Sequence, residues 1–202
     1  MIRFRRIRLR RPETVDDHVL QVAWRNSPLA RESFYSEDEV TMEQHMRWHE
    51  RVMADPRQRF FMIDALTEPP PRLGRLEEPR PIGTTSLLAI DRDHGRAEYG
   101  RLLIGCPEYR GGGFAFEAEL ALMHYAFHEL DLNRVYGEVL TGNEAVRRLH
   151  RKVGFQEEGV LRQHVFKRGR HEDVVVVGLL ASDFAGLHGN AGLVRDVEVS
   201  DV

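Results

Sequence analysis

The stretch "CPEYRGGGFAFEAELALMHYAF", Cys106 to Phe127, decides how this chain folds. Three consecutive glycines, Gly111 to Gly113, follow Arg110 and stand directly before a run with helical spacing. A glycine weakens a helix by up to about 1 kcal/mol relative to alanine, so their position needs a reason. A helix N-terminus carries unpaired N–H groups and about half a positive charge. Glycine lets an anion approach that backbone with no Cβ in the way. The run therefore reads as a phosphate cradle between a strand and a helix. A plain tight turn is the simpler alternative and needs fewer glycines.

The cradle is neither of two common kinds. A P-loop requires G-x-x-x-x-G-K-S/T, and no such lysine and hydroxyl follow. A dinucleotide fingerprint requires a third glycine where Phe116 stands. The spacing that fits is R-x-x-G-x-A, carried by Arg110, Gly113 and Ala115.

Outward from this point the chain alternates strands and helices. Upstream, residues 14–25 have helical spacing, and Thr41 with Gln44 forms a capping box for a second helix. "RFFMIDAL" is a strand, "TEPPPRLGRLEEPRP" a proline-rich loop, and "IGTTSLLAI" and "AEYGRLLI" two more strands. A long helix is expected over about 113–130. Downstream follow strand "RVYGEVL", helix "NEAVRRLHRKV", strand "FQEEGVLRQHVF", a turn, and strand "VVVVGLL". The expected fold is α/β: a mixed central sheet of about seven strands flanked by four helices. Residues 1–184 read as one domain. Residues 185–202 form a C-terminal extension with no clear period and receive no element.

Composition narrows the function. The chain has 202 residues, 42% hydrophobic and 30% charged, with a net charge of -3, which gives no reason to expect a nucleic-acid or membrane surface. "RFRRIRLRR" places six arginines in nine positions. It reads as an edge strand with Phe4 or Ile7 and Leu9 inward and arginines outward, or as a basic patch for an anion. The single cysteine, Cys106, excludes an internal disulfide and suits a reducing cytoplasm. Ten scattered histidines lack a metal-binding spacing, so no metal is expected. No apolar run reaches the ~18 residues of a membrane span.

R-x-x-G-x-A resembles the coenzyme A pyrophosphate loop of the GNAT acetyltransferases, Q/R-x-x-G-x-G/A. Residues 97–127 look like that family's strand, loop and long helix in one piece. "NRVYGEVLTGNEAVRRLHRKVGF" resembles its second half, ending in Lys152, Gly154 and Phe155, and residues 157–180 resemble its closing strands. The resemblance covers about residues 5–184. It implies acetyl-CoA as co-substrate, held in a splayed strand pair and giving its acetyl group to an amine. Gly111, Gly112, Gly113, Phe114 and Ala115 would hold the pyrophosphate through backbone N–H groups, with Arg110 adding charge. Leu103 and Ile104 would pair with the pantetheine arm and meet the developing oxyanion. Asn143 matches the family asparagine that contacts the cofactor arm, and asparagine is equally a favoured helix N-cap.

A protonated alkylamine has a pKa near ~10, so a carboxylate must help remove its proton. Glu98 and Glu138 lie on strands expected to face the cleft; outward-facing strand glutamates are the bland alternative. The thiolate needs an acid. The family commonly has tyrosine seven places after the asparagine; here that place holds His150, either a substitute donor or a space filler.

The N-terminal half, residues 23–63, resembles amino-sugar N-acetyltransferases of the pseudaminic acid type. That implies the 4-amino group of a nucleotide-linked sugar as acceptor, with Arg25, Asn26 and Trp48 in the substrate site. Trp24, Phe34 and Tyr35 are further stacking candidates, and Trp24 and Trp48 read equally well as core residues. Alternatives are a protein N-terminus or a polyamine as acceptor, as in the ribosomal-protein acetyltransferases of the same subfamily, or a CoA-binding module without catalysis. The expected partner is a small-molecule amine, in the cytoplasm. Homodimerisation, common in the family, is left open by the sequence.

Overall fold

A computed structural model describes residues 1–72, 74–189 and 197–200. The N-terminal arginine-rich run forms two strands, β1 (Ile2–Phe4) and β2 (Ile7–Arg10), folded into a hairpin at Arg5. Phe4, Ile7 and Leu9 are fully buried, as their alternation predicts. The arginines are not simply outward. Arg8 and Arg10 donate to the buried carboxylate of Asp64, and Arg10 also pairs with Asp17 at 2.7 Å. Burial pushes the Asp17 carboxyl up, but the Arg10 hydrogen bonds and the N–H groups of Glu13 and Thr14 outweigh it and hold it well below the usual range.

Helix α1 (Val15–Arg25) starts at a Thr14–Asp17 capping box, and α2 (Pro28–Ser33) at Ser27 with proline at its first position. Helix α3 (Met42–Ala54) starts at the predicted Thr41–Gln44 box. Strand β3 (Arg59–Thr67) follows, then β4 (Arg75–Asp91) and β5 (Arg96–Ile104). Part of the expected proline-rich loop is thus strand: Arg75 and Arg80 pair with Thr67 and Ala65. Only β3 pairs with this half of β4, because β5 begins to pair at Gly83, so Pro79 and Pro81 occupy an edge where a missing N–H is tolerated.

Helix α4 (Phe114–His124) continues as a π-helical turn, Tyr125–Glu129, close to the expected span. Strand β6 (Arg134–Leu140), helix α5 (Glu144–Val153), and strands β7 (Gln156–Lys167) and β8 (Arg170–Leu180) match the expected order. A short α6 (Ala181–Phe184) and strand β9 (Glu198–Val199) complete the described residues.

The sheet order is β7-β8-β6-β5-β4-β3-β2-β1-β9, and only β5 and β6 pair in parallel. Among the described residues nine strands replace the expected seven, for two reasons. The arginine-rich run divides in two, and β9, in the extension left without an element, pairs with β1 at Ile2↔Val199 and Arg3↔Glu198. Residues 190–196 and 201–202 of that extension lie outside the described residues.

Strand alternation separates two cores. Ile7, Leu9, Phe61, Ile63, Ala97, Tyr99 and Val135 join Phe114, Ala118, Leu120 and Leu122 beneath one face. Met62 and Leu103 pack with Trp24 and Ala30 on the other. So α4 and α5 line one face of the sheet, and α1 to α3 the other.

Candidate active site

The parallel pairing of β5 with β6 is confined to Arg96↔Arg134, Ala97↔Val135 and Glu98↔Tyr136. Beyond Glu98 the strands part. The cause is a bulge in β5: Ser86 lies opposite Gly100, but Thr84, two residues back, lies opposite Leu103. Arg101 takes up the extra residue at φ 56°. Hydroxyl bonds from Thr84 to the Arg101 carbonyl and from Ser86 to the Gly100 carbonyl, both 3.0 Å, lock it. The result is a V between β5 and β6, whose inner backbone edges lack a strand partner.

The glycine run closes one end of the V. Gly111 (φ 73°) and Gly113 (φ 87°) are both left-handed, a conformation costing other residues roughly 1–2 kcal/mol. Gly113 is the N-cap of α4 and no side chain caps the helix. A Cβ at Gly111 would meet nothing within 4 Å. Open space at Gly111, two residues before the N-cap, with Pro70 over Gly112 and Arg6 over Gly113, leaves room for a pyrophosphate at an uncapped helix N-terminus, so the residues present suit acetyl-CoA.

Arg110 does not reach into that space. Its Nε and one terminal nitrogen donate to the carbonyls of Ile104 and Gly105, both at 2.9 Å. It ties the loop to the end of β5. A cation beside the cradle is Arg6, from the run read as an edge strand or as a basic patch for an anion but not joined to the cradle in the sequence. Its guanidinium lies 4.5 Å over the Phe114 ring and 3.0 Å from where a Gly113 Cβ would stand, held by Glu117 at 2.6 Å. Leu103 and Ile104 lie on the parted segment of β5, pairing with Thr84 and Gly83 on its other side.

Glu98 and Glu138 meet on the α1–α3 face of the V. Ala97 and Tyr99 point into the α4 core, so Glu98 points the other way, with Tyr136 opposite and Glu138 two residues beyond it. Burial, then the charge of Glu138, push the Glu98 carboxyl above its ordinary value. Glu138 accepts a hydrogen bond from the Tyr35 hydroxyl at 2.7 Å, and His164 Nε2 lies 3.7 Å away. Burial and this bond to Glu138 push the Tyr35 hydroxyl far up, so it stays a donor.

His150 lies on the opposite face. It is buried, and its Nδ1 sits 2.6 Å from Oε1 of Glu119. Asn143 takes the N-cap position of α5, its Oδ1 accepting from the Val146 N–H at 3.3 Å.

The predicted acceptor residues divide. Arg25 donates to the Ser36 carbonyl at 2.8 Å and stacks on Phe34. Asn26 clasps both backbone groups of Val40. Both are committed to shaping the loop that presents Tyr35. Lys167 donates to the Glu32 and Phe34 carbonyls and Arg168 pairs with Glu37, so the β7–β8 hairpin braces the same loop. Trp24 is core, its indole where a Cβ on Gly105 would stand. Trp48 is half-buried, edge-on to Phe60 with the Arg101 guanidinium 5.1 Å from its ring.

Tyr35 and Glu138 are 103 positions apart, and Arg6 and Glu117 are 111 apart, so no local spacing could have joined them. Glu119 did leave a signal: with Glu117 it is one of two acids on a helix of mostly apolar residues.

Residues 6–156 match the family model described as an acetyltransferase (GNAT) domain. An uncharacterised N-acetyltransferase of Bacillus subtilis, YoaA, is 41% identical over 99 residues, 49% of this chain and 55% of its own length. A putative ribosomal N-acetyltransferase of the same organism, YdaF, is 28% identical over 89% of this chain and 93% of its own length. The spermidine N(1)-acetyltransferase of Escherichia coli is 32% identical over 54% of this chain and 58% of its own length. The chain thus spans little more than half the length of the first and third. The crystal structure of spermidine N-acetyltransferase from Vibrio cholerae with CoA and spermine superposes with a TM-score of 0.77 at 24% identity, covering 89% of this chain and 98% of that one.

Proposed function

The chain belongs to the GNAT acetyltransferase family, and from that premise we propose that it moves an acetyl group from acetyl-CoA to a primary amine on a small cationic acceptor of the polyamine type. The observation that carries this reading is the V itself, with an uncapped glycine cradle at one end and two carboxylates on one face. Backbone N–H groups of residues 111–116 would hold the pyrophosphate, with Arg6 beside them. The inner edge of Leu103 and Ile104 would pair with the pantetheine arm.

Two carboxylates facing one cleft repel each other, and an arriving ammonium relieves that repulsion. Glu138, tied to Tyr35, would orient the cation. Glu98 would take its proton, since a carboxyl raised by burial is the better base near neutral pH. The freed nitrogen then attacks the thioester carbonyl carbon.

The sugar-nucleotide acceptor implied by the N-terminal half finds little support. Arg25, its expected phosphate ligand, is turned to Ser36 and Phe34, with one terminal nitrogen buried and unpartnered. Relatives named for spermidine favour the polyamine acceptor instead. A second reading, a protein N-terminus, rests on the match to YdaF along nearly the whole chain.

Thiol release from acetyl-CoA tests all three against spermidine, spermine, N-terminal peptides and a UDP-linked 4-amino sugar. Turnover with the polyamines is expected. Turnover confined to peptide or sugar would replace the acceptor, and failure to bind acetyl-CoA would overturn the reading as a whole.

A further inference from the structure

Arg3, Arg8 and Arg75 line one cavity of about 180 Å³, together with Leu66, Leu76 and Glu77. Its walls come from β1, β2, the end of β3 and the half of β4 that pairs only with β3. None of its lining residues belongs to β5, β6 or the glycine run. Strand alternation brings the cations together. Ile2, Phe4, Ile7 and Leu9 point into the α4 core, so Arg3 and Arg8 point to the other face. Leu76 packs on the same core, which turns Arg75 and Glu77 to that other face as well.

Arg3 and Arg8 stand directly opposite each other in the β1–β2 hairpin. Like charges in that position destabilise an antiparallel pair. The neighbouring carboxylates do not remove the excess. Arg8 donates Nε and one terminal nitrogen to Oδ2 of Asp64, and Arg10 shares that oxygen while also pairing with Asp17. Two arginines thus balance two carboxylates. The side chains of Arg3 and Arg75 make no hydrogen bond or ion pair among the described residues. Glu198 of β9 lies opposite Arg3 in the register without pairing with it. Glu77 is the one carboxylate among the described residues that line the cavity. Positive charge therefore gathers here in a chain whose net charge is -3. Exposed cations often guard an open strand edge, but β9 already covers the outer edge of β1.

We propose that this cavity is an anion site separate from the glycine cradle, and that it takes a small phosphate-bearing ligand. Asp64 holds the Arg8 guanidinium in place, so that group loses little freedom when a ligand arrives. The other terminal nitrogen of Arg8 makes no bond among the described residues and can donate. Arg3 and Arg75 approach from β1 and β4. Three guanidinium groups from three strands suit a phosphate, whose tetrahedral oxygens accept from several directions, whereas a planar carboxylate is matched by a single fork. The cavity is smaller than the roughly 300–1,000 Å³ that a drug-sized ligand takes, so it accepts a phosphoryl group or two and leaves the rest of a larger ligand outside.

Titration of the whole chain with inorganic phosphate, pyrophosphate and AMP, at constant ionic strength and followed by backbone 1H–15N spectra, tests the site. The amides of Arg3, Arg8 and Arg75 should shift with phosphates and far less with citrate or potassium chloride. Residues 111–116 report the cradle separately. Shifts confined to residues 111–116, or citrate binding as tightly as pyrophosphate, would overturn the proposal. Tighter binding of pyrophosphate than of AMP would mark a free phosphate as the ligand, and the reverse order an ester; either order supports the site.

Arg3→Gln and Arg75→Gln should each weaken pyrophosphate binding by about tenfold or more, since each removes charge-assisted hydrogen bonds. Both side chains are exposed and unpaired, so both variants should fold, and a melting curve without ligand checks it. Pyrophosphate should raise the melting temperature of the wild-type protein and raise it less in either variant. Affinity unchanged in both variants would take the arginines out of any binding site and overturn the assignment.

Discussion

Glu98 and Glu138, two residues of one type, have different surroundings: Glu98 is raised by burial and by the charge of Glu138, and Glu138 accepts from the Tyr35 hydroxyl. Burial and the neighbouring charge raise Glu98, so it holds its proton further up the pH scale than a free carboxyl. The acid limb of kcat/KM should therefore lie above the ordinary carboxylate range. Glu138→Gln removes the charge that helps to raise Glu98, so the limb should move to lower pH while the maximum falls by tenfold or more. A pH–rate series on both proteins checks this, and an unmoved limb would separate the two groups. The sequence offered both glutamates as strand residues, either facing an expected cleft or pointing outward. Their coupling through a shared face was not legible, because it depends on a three-pair register that spacing alone does not reveal.

Among the elements, the strand–loop–helix unit was the most legible. Three glycines at a helix start have few physical uses, and two of them prove left-handed. Arg110 was expected to add charge to the pyrophosphate site, whereas two of its nitrogens donate to the carbonyls of Ile104 and Gly105. The seam between α1 and α3 was not foreseen at all. There His18 Nδ1 and His45 Nε2 lie 3.1 Å apart, and the His49 ring centroid is 4.5 Å from that of His18. Burial, then the charges of His18 and His49, push His45 down to about 4, and His49 is lowered for similar reasons. The folded state therefore binds fewer protons than the unfolded chain between about pH 6.5 and pH 4, and stability falls as pH drops through that window. Melting temperature should decline from pH 7 to pH 5. His45→Gln should lower it at pH 7 but flatten the decline, and an equally steep decline would place the acid sensitivity elsewhere.

At the scale of the molecule, the mixed sheet and the order of most elements followed from the sequence, since alternation and caps are local signals. What escaped was closure. β9 covers the outer edge of β1, and a two-residue strand is too short to carry a period. An uncovered edge invites pairing with other chains. Ser200→Pro removes the N–H that donates to the Met1 carbonyl at 2.8 Å at the end of this pairing and should lower the melting temperature by about 2–4 °C for each kcal/mol lost, with a rise in self-association on sedimentation. Unchanged values in both would show that the edge needs no cover.

The bulge at Arg101 also sets up a readout in hydrogen exchange. Past Glu98, β5 pairs on one side only, so roughly alternate amides between Tyr99 and Ile104 face the gap with no strand to slow their exchange. Amides that face Thr84 and Gly83 should exchange slowly throughout. The protein thus carries its own footprint, in which fast and slow amides alternate along a single strand, and a molecule lying in the V would silence one set without touching the other.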